Sequence, residues 1–256
     1  MIQFLTTAQR HNVRHIHREG PMVLSHLFWG RVFKREFIPQ LTGIFEALER
    51  RILPAFQGIE KEAEGVADDT WEKFMSTVGS GEEDPSDLAE AAQQAGVSHY
   101  TLLNGIRQGI INLFAAALYH AFEQQTILFL RRQVLHPREE TDSKLFYMSE
   151  FDRRLKALGI NINDFQSWPK TDELRLVANT VKHAEGDSAQ KLHRQRPGLF
   201  ENPEIQKLGL SSGTANPRVF LPLVGEDVYV SLADIKEYRD ALLGFWKELA
   251  DAMERA

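Results

Sequence analysis

The sequence predicts a mainly α, multi-helix bundle, and three observations carry that prediction. Apolar residues recur at helical spacing through most of the chain, the longest such run is apolar on nearly every side, and the only strand signal is one short stretch near the C-terminus. The chain has 256 residues, 43% of them hydrophobic, with 16 Phe and 4 Trp, enough bulky side chains to build a core without disulfides or a structural metal. Cysteine is absent, which excludes disulfides, thiolate metal sites, iron–sulfur clusters and thiol nucleophiles together and fits a reducing cytoplasm. A formal charge of -6 argues against a protein that coats nucleic acid through its overall field, so an anionic partner must be met by a local patch. Met1 to Thr7 lacks the basic start and apolar stretch of a signal peptide. The most apolar run, Gly109 to Phe122, is interrupted by Asn112 and His120 and falls short of the roughly 20 residues of a membrane helix. A cytoplasmic protein with no membrane partner is expected.

The elements follow in order, and they read as one domain over residues 1–256. Residues 1–20 form a basic N-terminal arm with Arg10, His11, Arg14, His15, His17 and Arg18, closed by the Gly20-Pro21 breaker. From Ile38, the residues Leu41, Ile44, Phe45, Leu48, Ile52, Phe56 and Ile59 keep helical spacing, with a kink or break expected at Pro54. A second helical piece includes Trp71, Phe74 and Met75, and residues 76–97 then read as an acidic, flexible loop. Ser98 is the expected N-cap of a long central helix to about Leu135, whose stripe is Leu102, Ile106, Ile110, Leu113, Ala117, Ala121 and Leu128. His136-Pro137 ends it. Helices are expected at about Lys144 to Leu158 and Lys170 to Glu185, the second entered through Trp168-Pro169 and stopped by Gly186. Val219 to Leu223 and Val228 to Val230 flank Gly225-Glu226-Asp227, which predicts a short C-terminal β-hairpin or extended loop. Ser231 and Asp234 form a capping pair for a last helix with Ile235, Tyr238, Leu242, Phe245, Leu249 and Met253 inward.

The segment from Leu174 to His183 carries the chemistry. Leu174, Val177, Ala178 and Val181 make a packing side, while Arg175, Asn179 and His183 recur every four residues along a second stripe. A guanidinium neutralises oxyanions, an amide orients a bound group, and an imidazole titrates near neutral pH, a set suited to phosphate chemistry. On the central helix His120, Glu123 and Gln124 lie one turn apart, and Glu123 is placed to orient His183 or to pair with Arg175. Lys182, Lys191, Arg194 and Arg196 add positive charge beside this set, which RNA could use.

Asn179-Thr-Val-Lys-His183 resembles the signature of the HEPN superfamily, helical proteins that include metal-independent ribonucleases of bacterial toxins and anti-phage defence systems. That signature is an Arg, often followed by Asn, with His four to six residues on. Here Ala178 occupies the Arg position and Arg175 is the nearest substitute. The resemblance implies a homodimer in which His183 acts as acid or base on the RNA 2′-hydroxyl or leaving oxygen. Asn179 and Arg175 would hold the phosphate, Glu123 would support them, and a cognate antitoxin or defence-system protein would be a partner. Three readings therefore stand: an endoribonuclease, a catalytically degenerate dimerisation or protein-interaction module, and a sensor that binds RNA or a nucleotide without cutting it. Beside them, Asn179 and His183 can simply fix the register of a helix pair, and Lys191 to Arg196 can be a solvated helix end.

No cofactor is expected. The reversed His120/Glu123 pair lacks the several carboxylates a bundle metal site needs, and His11, His15 and His17 lie in a basic context with no Cys partner, so no metal is expected either. Phosphate-binding glycine loops, Gly-x-Ser-x-Gly elbows and His-Glu-x-x-His motifs are absent, which disfavours nucleotide hydrolases and the common proteases.

Overall fold

A computed structural model describes residues 25–77, 84–204 and 227–255. The described chain is a helical bundle built from α1 (His26–Val32), α2 (Ile38–Ala47), α3 (Ile59–Thr77), α4 (Pro85–Phe129), α5 (Met148–Ala157), α6 (Trp168–His183), α7 (Asp187–Gln195) and α8 (Leu232–Arg255). The basic N-terminal arm lies outside the described residues.

The first helical rod shows how spacing dictates local geometry. Trp29, Phe33, Phe37, Leu41 and Phe45 are all buried and follow one another at intervals of four. In an α-helix each such step drifts by roughly 40°, so an unbroken helix would carry the stripe out of the core. A wider π-helical turn at Phe33–Phe37, between α1 and α2, offsets that drift. After α2 the chain makes another π turn at Leu48–Ile52 and a 3-10 turn at Leu53–Phe56, so Pro54 marks a break, as expected.

α4 begins thirteen residues earlier than Ser98. Asp84 accepts a hydrogen bond from the Ser86 amide (2.9 Å) and Pro85 occupies the first turn, a start signal that outweighs the loop-like composition before it. Residues 85–97 of the expected acidic loop are therefore helix, and 78–83 lie outside the described residues. The N-terminal half of α4 pairs with α3 as a hairpin whose interface is made of small residues. A methyl on Gly96 would sit 2.7 Å from the Ala63 carbonyl oxygen and 3.0 Å from the Ala67 Cβ. Gly96→Ala is expected to cost about 1–2 kcal/mol net, overpacking outweighing the roughly 1 kcal/mol gained in helix propensity, and thermal denaturation with proteolysis of α3 measures it.

The C-terminal half of α4 is the centre of the bundle, through a stripe that keeps Ala121, with Ile110 and Leu128 packed at its side, but not the rest of the expected set. Ile111, Ala115, Leu118, Phe122 and Phe129 are buried, whereas Leu102 (59%), Ile106 (45%) and Leu113 (62%) face solvent. Phe122 and Phe129 meet an aromatic cluster in which Trp246 of α8 lies 4.6 Å from Phe33 and 4.8 Å from Phe37, ring centre to ring centre. Gln125 is the polar pivot of this cluster. Its oxygen accepts from the Trp246 Nε1 (2.8 Å), and its amide donates to the Phe37 carbonyl and to Gln40.

Asn112, read from sequence as an interruption, is fully buried and functional in the architecture. Its amide donates to the Val228 carbonyl (2.6 Å), while Gln108 donates to the Val230 carbonyl (3.0 Å), pinning this segment to α4. Val228 to Val230 has no strand pairing among the described residues, and the other arm of the expected hairpin, Val219 to Leu223, lies outside them. Immediately after, the Ser231 and Asp234 side chains exchange hydrogen bonds with each other's amides and start α8, whose predicted stripe is buried throughout.

On α5, Glu150 accepts from Arg153 (2.6 and 2.7 Å) and Arg154 (2.7 Å), and Arg154 also reaches Glu139. Those hydrogen bonds hold the Glu150 carboxyl down at about 2, from its usual 4.5. The stabilisation is thus present above pH 4.5 and is lost as pH falls toward 2. Wild type is expected to exceed Glu150→Gln in urea midpoint at pH 6, with the two curves converging near pH 2.

Candidate functional site

α6 is clasped on most of its circumference. Thr171, Leu174, Leu176, Val177, Ala178 and Thr180 are buried, which leaves Asp172, Arg175 and Asn179 half-buried along one edge and Lys182 and His183 exposed at its C-terminal end. The packing side expected from sequence is thus confirmed for Leu174, Val177 and Ala178. Ala178, at the position where the resembled signature has Arg, is wholly buried in the core.

The sequence-selected residues divide into a tethered group and a free one. Arg175 pairs with Asp172 (2.7 Å), and Glu123 lies 3.8 Å from His120, so neither contacts the other as its ion-pair partner. Tyr119 of α4 is a buried phenol whose pKa burial pushes well up, with the Glu123 charge raising it further and the Arg175 charge opposing. Asn179 and His183 make no side-chain hydrogen bond or ion pair among the described residues.

Arg196, half-buried, is tied into the scaffold. Its guanidinium spans Glu173 of α6 (2.7 Å) and Asp234 of α8 (2.8 Å). Glu173 also accepts from the Tyr238 hydroxyl (2.8 Å) and faces Lys170 (3.3 Å). Burial beside Glu173 pushes the Tyr238 hydroxyl far above the ordinary phenol range. This network locks α6, the turn after α7 and α8 together. Sequence reading missed it because its members lie 23 to 65 residues apart.

What remains open to a ligand is the α6–α7 corner, with Lys182, His183, Lys191 and Arg194 exposed. Residues 59–104 hold eleven acidic and two basic residues, a net -9, so the rest of the chain carries +3 despite the overall -6. The corner also holds the acidic Glu185 and Asp187 between its two pairs of basic residues. The corner turns through Ala184, whose φ of 55° and ψ of -97° lie where a side chain is strained, and Gly186 at φ 143°. Ala184→Gly is expected to raise stability by about 1 kcal/mol, relief of strain exceeding the added entropy of the unfolded chain, and a higher Tm verifies it.

Among the described residues no group of three His, Asp or Glu is placed to hold a metal ion, and no helix is long and apolar enough to cross a membrane. The described residues form a mainly helical bundle in which the α6–α7 corner exposes Lys182, His183, Lys191 and Arg194. No family model matches the sequence, and neither a curated protein nor a solved structure is similar to it.

Proposed function

We propose that this chain is a HEPN-like helical protein that cleaves RNA without a metal, as part of a bacterial toxin or anti-phage defence system. The observation that carries the reading is His183: an exposed imidazole at the end of α6, held by no other described side chain, between the exposed Lys182 and the strained Ala184. Strain adjacent to an unengaged titratable group is a common mark of a site shaped for something other than stability. In this reading Lys182, Lys191 and Arg194 hold the RNA backbone. His183 takes the 2′-hydroxyl proton as the 2′ oxygen attacks phosphorus, the bond to the 5′ oxygen breaks, and that oxygen receives a proton, leaving a 2′,3′-cyclic phosphate. Asn179 orients the phosphate, with Arg175 and Glu123 in supporting roles. A homodimer and a cognate antitoxin or defence-system protein are the partners this reading entails.

Buried Ala178 favours a second reading, a non-catalytic pairing module, since no cation stands at the position where the resembled family places one. Induction of the wild-type chain and of His183→Ala in a bacterial host, with total RNA from both cultures, separates the two. Growth arrest and RNA fragmentation that vanish in the variant support the nuclease. Harmlessness of both supports the pairing module, and RNA binding that survives the substitution without cleavage identifies a sensor.

A further inference from the structure

Leu27, Phe28, Arg31, Lys34 and Arg35 follow one another at steps of three and four along α1 and the π turn after it. All five are exposed, opposite the buried Trp29, Phe33 and Phe37. Glu36, the one acidic residue between Ser25 and Phe37, lies five residues from Arg31 and so falls off this face. Arg31, Lys34 and Arg35 make no ion pair or side-chain hydrogen bond among the described residues, whereas Arg154, Arg175 and Arg196 are each held by carboxylates. The apolar end of the face is firmly mounted. Leu27 is 69% exposed and Phe28 47%, and the Phe28 ring stands edge-on to Trp29 at 5.5 Å between centres. The Trp29 indole in turn donates to Gln133 (2.8 Å), which brings the exposed Arg132 to the same end of the bundle. The sequence before α1 adds Arg10, Arg14 and Arg18 against Glu19 alone.

We infer that this face docks on an anionic lipid bilayer, with Leu27 and Phe28 entering the headgroup–acyl boundary and Arg31, Lys34 and Arg35 meeting lipid phosphates. Unpaired cations draw the face to a negative surface, and large apolar side chains beside them hold it there. The phosphates of a single-stranded RNA would also suit the cations, and a base would stack on Phe28, but Leu27 would gain nothing from either. The sequence expectation of no membrane partner concerns spanning runs. No described helix is long and apolar enough to cross a bilayer, and a peripheral contact needs only this one face. The contact is separate from the α6–α7 corner and its readout is independent of RNA cleavage.

The test uses the full chain and vesicles of phosphatidylcholine, with and without an equal share of phosphatidylglycerol, read by co-flotation. Wild type is expected to bind the anionic vesicles at least about tenfold more tightly than the neutral ones and to be released as salt rises. Arg31→Glu/Lys34→Glu/Arg35→Glu is expected to weaken binding by about 100-fold or more, from about fivefold for each cation at such a surface. Leu27→Ser/Phe28→Ser is expected to weaken it by about tenfold and to leave the salt dependence in place. All five positions are exposed, so the urea midpoints of both variants should match wild type. Lys182→Glu/Lys191→Glu/Arg194→Glu, at the α6–α7 corner, is expected to bind vesicles as wild type does. The inference is overturned by no binding to anionic vesicles, by equal binding to both kinds, by binding that survives either α1 substitution, or by loss in the corner variant instead. Capture of a single-stranded oligoribonucleotide through the three cations, without capture of vesicles, overturns it as well.

Discussion

If the chain is the nuclease proposed above, His183→Ala is expected to lower RNA cleavage by about 10²- to 10⁴-fold, the range a positioned acid or base contributes, with no change in urea midpoint. The separation of activity from stability follows from where the side chain stands. The imidazole is exposed and has no side-chain hydrogen bond or ion pair among the described residues, so its loss leaves packing alone. Its neighbours predict a graded series. Lys182→Ala removes an exposed cation and is expected to raise the RNA concentration needed and reduce the salt dependence of binding, through one fewer phosphate contact. Arg175→Ala acts differently, because it leaves half-buried Asp172 without its partner and so is expected to perturb stability as well. Gel assays of a defined RNA at two salt concentrations, beside urea denaturation of each variant, separate the three behaviours. Equal and undetectable cleavage by wild type and His183→Ala would instead leave the buried Ala178 as the deciding feature of the motif.

Legibility in the sequence followed the range of the interaction. α8 was readable in full because its capping box spans three residues and its stripe has only one possible inward face. α4 was readable as a helix but not as an oriented one. Between Gly105 and Leu118 it is apolar on nearly all sides, so periodicity offered Leu102, Ile106 and Leu113 as readily as the true inward set of Ile111, Ala115, Leu118 and Phe122. The Asp84-Pro85 start was present in sequence, but the small acidic residues before it read as a loop. The Asn112 clamp on Val228 and the Arg196 bridge from Glu173 to Asp234 depend on residues brought together from afar, and no local pattern announces them. Site and scaffold differ for the same reason. The half-buried edge of α6 could be inferred from spacing, whereas which cations are held in ion pairs could not.

The largest stability effect is expected at Trp246. Its side chain is fully buried, stands within 4.6–5.5 Å of Phe33, Phe37, Phe122 and Phe245 between ring centres, and donates to Gln125. Trp246→Ala removes the centre of that cluster at a cost of about 3–5 kcal/mol, and the stranded Gln125 oxygen adds about 1 kcal/mol or more. Against a total of about 5–15 kcal/mol for a domain, the variant is expected to unfold in low urea or to be unfolded outright. Trp246→Phe divides the two contributions: it keeps most of the packing and loses the hydrogen bond, so about 1–3 kcal/mol is expected from urea titration monitored by circular dichroism. If Trp246→Phe proved as damaging as Trp246→Ala, the polar pivot would be the keystone of the core. A near-neutral Trp246→Phe would show that Gln125 is sufficiently held by Phe37 and Gln40. Either outcome bears on how α1 and α2 stay on the bundle, because Trp246 and Gln125 are where the aromatic rod of α1 and α2 meets both α4 and α8.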